Sequence, residues 1–180
     1  YSPGYIGGWS AAHYWSLTEQ LFNTTVVLTA KKVKKRDVFV HGDRFLIKTV
    51  IPYLMFGTRE VRKGSLKMEV SDPSKTVLDI LAYPSIGGGY RQVIEIMGNY
   101  LDSKNKNIDL LKQYAVRMDN GSVYKRMGFI LESNFSSESG LIKYCANKLT
   151  TGLARLDPDL ECSRLITKWK LWVPDHGFAG

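Results

Sequence analysis

SDPSKTVLDILAYPSIGGG, residues 71–89, is the stretch on which the fold turns. Just before it, Leu66, Met68 and Val70 alternate with Lys67 and Glu69, the two-residue period of a strand with one wet face. Beyond it, apolar residues recur at helical spacing. Asp72 stands at the change of period and precedes Pro73. Its carboxylate is placed to accept orphan amide hydrogens at a helix start, where the missing N–H of proline costs nothing. The spacing predicts a helix from residue 72, with Val77, Leu78 and Leu81 inward and Lys75 and Asp79, four apart, paired on its exposed side.

The same stretch sets two aspartates about a lysine and ends in three glycines, so chemistry must be weighed against architecture. A two-metal nuclease of the restriction type needs an acidic residue two before a lysine, but Glu69 is followed by Val70 and Ser71. A nucleotidyltransferase needs Gly-Ser at a helix start and then Asp-x-Asp or Asp-x-Glu on a strand. Gly64-Ser65 leads straight into a strand, and Asp72 is followed by Pro73 and Ser74. Gly87-Gly88-Gly89 follows a helix and lacks Gly-Lys-Ser/Thr, which makes it a flexible helix-to-helix joint rather than a phosphate loop. An enzyme acting on nucleic acid would have to draw on Glu60, Glu69, Asp72 and Asp79 near basic strands.

Working upstream, Ser10, with Trp9 ahead of it, is placed to cap a helix running to Leu21. TTVVLT (24–29), DVFVHG (37–42) and RFLIKTVI (44–51) read as strands, with a hairpin turn at His41-Gly42-Asp43. A second hairpin joins residues 54–61 to SLKMEV through Arg62-Lys63-Gly64. Downstream, Val93, Met97 and Leu101, then Ile108, Leu111, Ala115 and Met118, then Val123, Met127 and Leu131 mark three amphipathic helices. Asn107 and Ser122 are placed to cap the last two, residues 85–89 and 102–106 supply turns, and a further helix spans Glu138 to Leu149. LITKWKLWV (165–173), between Pro158 and Pro174, alternates as a closing strand. The expected fold is α+β: a mixed, mainly antiparallel sheet in the N-terminal half, packed against a helical C-terminal half, with a returning C-terminal strand. All 180 residues are expected to form one domain.

An apolar share of 44% with seven Phe, ten Tyr and four Trp belongs to a packed protein. The longest apolar run, FLIKTVIPYLMF (45–56), is broken by Lys48 and Pro52, too short for a membrane helix, and a soluble cytoplasmic protein is expected. Cys145 and Cys162 form no CxxC pair, and His13, His41 and His176 make no ligand spacing, so neither metal nor cofactor is expected. The opening Tyr1-Ser2-Pro3-Gly4 has no initiator methionine and no signal peptide, and reads as the start of a fragment with a further segment upstream.

The formal charge of +8 favours anionic partners. Its densest part is Lys31-Lys32-Val33-Lys34-Lys35-Arg36, five cations in six positions between two strands, suited to phosphate oxygens or, alternatively, to a solvated loop. On the closing strand Trp169, Leu171 and Val173 share one face, leaving Lys168, Lys170 and Trp172 on the other. That second face is either a binding surface or a tryptophan covered by a helix.

Taken in order, GYIGGWSAAHYWSLTEQL (4–21), the basic two-strand region, SDPSKTVLDILAYPSIGGGYRQVIEIM (71–97), LLKQYAVRM (110–118), VYKRMGFILES (123–133), LARLDP (153–158) and WKLWVP (169–174) resemble the C-terminal domain of AbiEi-type antitoxins of abortive-infection systems. The resemblance spans nearly the whole chain. Its most specific parts are the D-P-x-K-T-hydrophobic-hydrophobic-D segment and the R-M-G-F-hydrophobic-L-E helix. It implies an upstream winged helix-turn-helix that binds promoter repeats. It also implies a C-terminal region needed to neutralise a nucleotidyltransferase-like toxin, directly or indirectly, and to help co-operative DNA binding. No catalytic residue carries over. Asp72, Lys75, Thr76, Asp79, Arg126, Gly128, Phe129 and Glu132 enter as matching positions for which structural roles are expected.

Overall fold

A computed structural model describes residues 3–64 and 66–175; Ser65 and His176 of the readings above lie outside the described residues. The chain runs β1 (Gly4–Ile6), α1 (Gly8–Tyr14), β2 (Thr24–Thr29), β3 (Asp37–Val40), β4 (Asp43–Thr49), β5 (Thr58–Lys63) and β6 (Leu66–Ser71). It continues with α2 (Pro73–Ala82), α3 (Tyr90–Asp102), α4 (Ile108–Met118), α5 (Gly121–Asn134), α6 (Ser139–Ala146), β7 (Ala154–Arg155), β8 (Arg164–Ile166) and β9 (Leu171–Val173). The fold is α+β. Six strands form one sheet in the order β3-β4-β2-β1-β6-β5, and β7-β9-β8 form a small second sheet. In the large sheet β1/β2, β3/β4 and β5/β6 pair antiparallel, while β1/β6 and β2/β4 pair parallel.

Both expected hairpins form, the second with shifted bounds: residues 54–57 follow or end a 3₁₀ turn rather than extend, β5 starts at Thr58, and Arg62 and Lys63 pair within the strand instead of forming the turn. The tight one pairs Val40 with Asp43. His41 and Gly42 between them have φ of 50° and 91°, the two positive values that a two-residue turn matching strand twist requires. Alternation along β2 places Val26 and Leu28 in the main core and leaves Val27 on the other face, beside Ile6 and Phe45 in an open depression. Among the described residues no helix is long and apolar enough to cross a membrane.

The helix begun at Asp72 is the centre of the molecule. All ten residues of α2 are buried, because α1, α3, α4 and α5 pack around it as well as β6. This corrects the placement of Lys75 and Asp79. They do pair, but at 0% and 1% exposure rather than on an exposed side, since α2 has no exposed side. Four-residue spacing identifies partners without saying which medium surrounds them.

Other boundaries shift for local reasons. Helix α1 stops at Tyr14, where Ser16 turns into the left-handed region at φ 57°, and Gly7 rather than Ser10 stands at its N-cap. The Ser10 hydroxyl instead accepts the amide of Val26, 3.0 Å away, tying α1 to β2. Asn107 caps α4 as expected, through Leu110 N–H, whereas α5 is capped by Asn120, whose Oδ1 accepts the Ser122 amide at 3.0 Å. Helix α6 ends at Ala146, short of Leu149.

LITKWKLWV is not one strand. A 3₁₀ turn over Thr167–Trp169, followed by Lys170 at φ 52°, folds it into the β8–β9 hairpin of the small sheet. Lys168, Lys170 and Trp172 therefore do not lie along one continuous pleat.

Candidate nucleic-acid interface

The basic segment 31–36 links β2 to β3 and is tied down at both ends. Lys31 N–H donates to Thr29 Oγ1 at 3.1 Å, Thr49 Oγ1 donates to the Lys31 carbonyl at 3.1 Å, and Ile47 N–H donates to the Arg36 carbonyl at 2.6 Å. Lys31, Lys32, Lys34, Lys35 and Arg36 are all exposed, and none has an ion-pair partner among the described residues. Lys31, Lys32, Lys34 and Lys35 line an open depression of about 610 Å3 floored by Val33 and Val38. Lys48 approaches from β4, its ammonium 4.2 Å from the centre of the Tyr83 ring. Burial first, and Arg36 second, hold Lys48 below the usual lysine range. A pinned loop of unpaired cations can bind polyanions without paying a large ordering entropy.

The C-terminal cations are committed elsewhere. Lys168 pairs with Glu132 Oε1, and Lys170 donates to the Thr150 carbonyl at 3.3 Å. Trp172 is half-buried on β9, opposite Leu165 of β8 and Arg155 of β7. The Lys168 ammonium is the main reason that the Glu132 carboxyl sits below its ordinary range, with the Trp169 N–H adding to it.

Of the positions matching the AbiEi pattern, all but the half-buried Glu132 lie in the interior. Asp72 Oδ1 accepts Lys75 N–H at 2.9 Å and its Oδ2 accepts the Tyr114 hydroxyl at 3.0 Å. Thr76 Oγ1 donates back to the Asp72 carbonyl at 2.8 Å. The Lys75 ammonium donates to Tyr5 OH at 2.9 Å and to Asp79 Oδ1, and Tyr5 OH donates to Asp79 Oδ2 at 2.9 Å. From α5, Arg126 donates to the Leu81, Ala82 and Arg155 carbonyls at 2.7, 3.0 and 2.8 Å, closing the C-terminus of α2 and holding β7. Phe129 is buried in the core, and Gly128 lies under the Trp169 indole, whose N–H donates to Glu132 Oε2 at 2.7 Å.

The carboxylates proposed for an enzyme divide. Glu60 and Glu69 face each other across β5 and β6, with Glu60 3.3 Å from Lys67, whereas Asp72 and Asp79 are turned into the core. Among the described residues no three His, Cys, Asp or Glu side chains cluster as metal ligands would.

The glycine run is also more ordered than a loose joint. Gly87 ends a 3₁₀ turn, Gly88 and Gly89 have φ of 89° and 87°, and the buried Asp157 accepts Tyr90 N–H at 3.0 Å. A carboxylate of the chain itself thus occupies the helix start where a phosphate would sit. Local spacing does not single out Tyr5 or Asp157, because their partners are remote in the chain.

Replacing Asp72 tests its assignment to architecture. Asp72→Ala is expected to cost about 1–2 kcal/mol, by loss of the cap and of the Tyr114 bond, whereas Asp72→Asn, which keeps an acceptor for Lys75 N–H, costs less. Urea unfolding of the two variants measures the difference.

No protein-family model and no curated protein matches the chain. Among solved structures it is similar to the crystal structure of the RV2827C protein from Mycobacterium tuberculosis, with a TM-score of 0.62 at 12% sequence identity. The match covers 94% of this chain and 62% of that one, so the chain spans less than two thirds of that protein's length. The likeness is one of fold.

Proposed function

We propose that this chain is a non-enzymatic antitoxin and transcriptional-regulator domain of the AbiEi type. In this proposal it supports DNA binding through its basic loop and helps to neutralise a nucleotidyltransferase-like toxin. One observation carries the DNA half: five exposed cations without ion-pair partners among the described residues, on a loop bonded to the sheet at both ends. The order of the sequence segments supports the antitoxin half. The non-enzymatic assignment is supported by the use of Asp72, Lys75 and Asp79, which hold one another and the start of α2.

The test is duplex binding at two salt concentrations. Each phosphate neutralised adds about 0.9 to the slope of log K against log salt. Changing Lys31, Lys32, Lys34, Lys35 and Arg36 to alanine is expected to weaken binding and lower that slope by about 2–4. An unchanged slope removes the loop from DNA recognition. Co-expression with a toxin encoded beside it tests the other half, with rescue of growth as the expected result.

A further inference from the structure

Two arginines outside the basic loop are brought together by the fold. Arg59 lies on β5 and Arg117 in the last turn of α4. The Arg117 guanidinium carbon is 4.0 Å from the centre of the Phe56 ring, and that of Arg59 is 5.4 Å from the Trp15 ring. Tyr114 is set edge-on to Phe56 at 5.2 Å. Gly57 lets the strand pass close to it, since a Cβ there would come within 2.9 Å of Tyr114 Cε2. Both guanidiniums act electrostatically on the Tyr114 hydroxyl, opposing the upward push of burial and of Asp72.

Both arginines are exposed, and neither has an ion-pair partner among the described residues. The nearby carboxylate of Asp72 is 4% exposed and is used by Lys75 N–H and Tyr114. The end of α4 gives Arg117 a favourable dipole, and Arg59 on β5 is held by the Trp15 ring. Stacking on an aromatic ring occupies one face of a guanidinium and leaves its N–H edge free for a bidentate anion. Tyr53, 50% exposed, is tied to the end of the same helix, its hydroxyl donating to the Met118 carbonyl at 3.1 Å, which fixes its ring at the helix end that carries Arg117.

We propose that Arg59 and Arg117, with Tyr53, form a contact site for single-stranded nucleic acid, the guanidiniums on successive phosphates and the tyrosine ring under a base. Interleaved arginine and aromatic side chains suit an unstacked strand, whereas the depression at the basic loop is lined by lysines and valines. An acidic peptide could satisfy the charges but would leave the ring unused. The site does not rest on the duplex-binding role of residues 31–36.

Fluorescence anisotropy of labelled oligothymidylate at about 50 mM and about 200 mM salt tests it, with the full chain, the Arg59→Ala/Arg117→Ala variant, Tyr53→Ala and the loop variant. The arginine variant is expected to bind about tenfold more weakly, with a slope lower by about 1.4, two phosphates at roughly 0.7 each. Tyr53→Ala is expected to weaken binding about fivefold or more without changing the slope. The arginine effect should persist in the loop variant, so loss of the loop's role and loss of this site read separately. Thermal unfolding checks that each variant folds. Wild-type affinity and slope in a folded arginine variant, no binding by the unaltered chain, or displacement by polyglutamate as readily as by oligothymidylate would each overturn the site.

Discussion

Lys75→Met is expected to destabilise the protein by about 3–5 kcal/mol, because it strips the counter-ion from a buried carboxylate. Lys75 and Asp79 are 0% and 1% exposed, and Lys75 lies between the Phe56 and Tyr5 rings, 5.0 and 5.2 Å from their centres. Burial pushes the Asp79 carboxyl above its ordinary range, and Lys75 is the chief force opposing that rise. Without Lys75 the shift grows. A carboxyl whose pKa is higher in the folded than in the unfolded state binds protons more tightly when folded. Stability therefore falls as pH rises from the ordinary carboxylate value to the raised one. The penalty in Lys75→Met is accordingly expected to be largest near neutral pH and to shrink toward pH of about 4, where Asp79 can be neutral in both states. Lys75→Met with Asp79→Leu and Tyr5→Phe removes charge and hydroxyl together and is expected to recover most of the loss, since apolar replacement of a whole buried pair is often neutral. Urea midpoints at the two pH values decide the matter. A silent single substitution would mean that Lys75 is not enclosed in solution.

Much of this architecture could be read from period and punctuation. TTVVLT, the His41-Gly42 turn and the Asp72-Pro73 boundary each obey a local rule, and each stands where that rule puts it. What could not be read depends on neighbours remote in sequence. Lys75 and Asp79 have the spacing of a surface pair, and only the elements packed around α2, with Tyr5 of β1 and Phe56, make them interior. LITKWKLWV alternates well enough for one strand, yet Trp169 is 0% exposed because it leaves the pleat in a 3₁₀ turn to lie on α5. The candidate surfaces follow the same division. The loop at 31–36 announced itself by composition, while Arg59 and Arg117 become neighbours only through Phe56 and Tyr114.

Gly128→Ala is expected to reverse the ordinary rule for glycine in a helix. In an exposed helix interior alanine is favoured by about 1 kcal/mol. Here a Cβ would stand 2.0 Å from Cζ3 and 2.3 Å from Cη2 of Trp169, well inside any contact distance. The indole cannot easily retreat. Its N–H is held by Glu132, one turn further along α5, and the ring is 0% exposed at the junction of β8 and β9. Relief requires the 3₁₀ turn to lift, which pulls the β8–β9 hairpin away from α5. The expected cost is about 3 kcal/mol or more, the upper end of overpacking. Trp169→Leu alone leaves a cavity and removes the donor to Glu132 Oε2, while Lys168 still pairs with Oε1, for a loss of about 3 kcal/mol. The two changes should not add. With leucine at 169 the methyl at 128 enters vacated space and regains helix propensity, so the double variant is expected to be no less stable than Trp169→Leu, with a coupling of about 3 kcal/mol. Chemical denaturation of the four proteins measures the coupling. Simple additivity would mean that Gly128 is required for something other than room beneath the tryptophan.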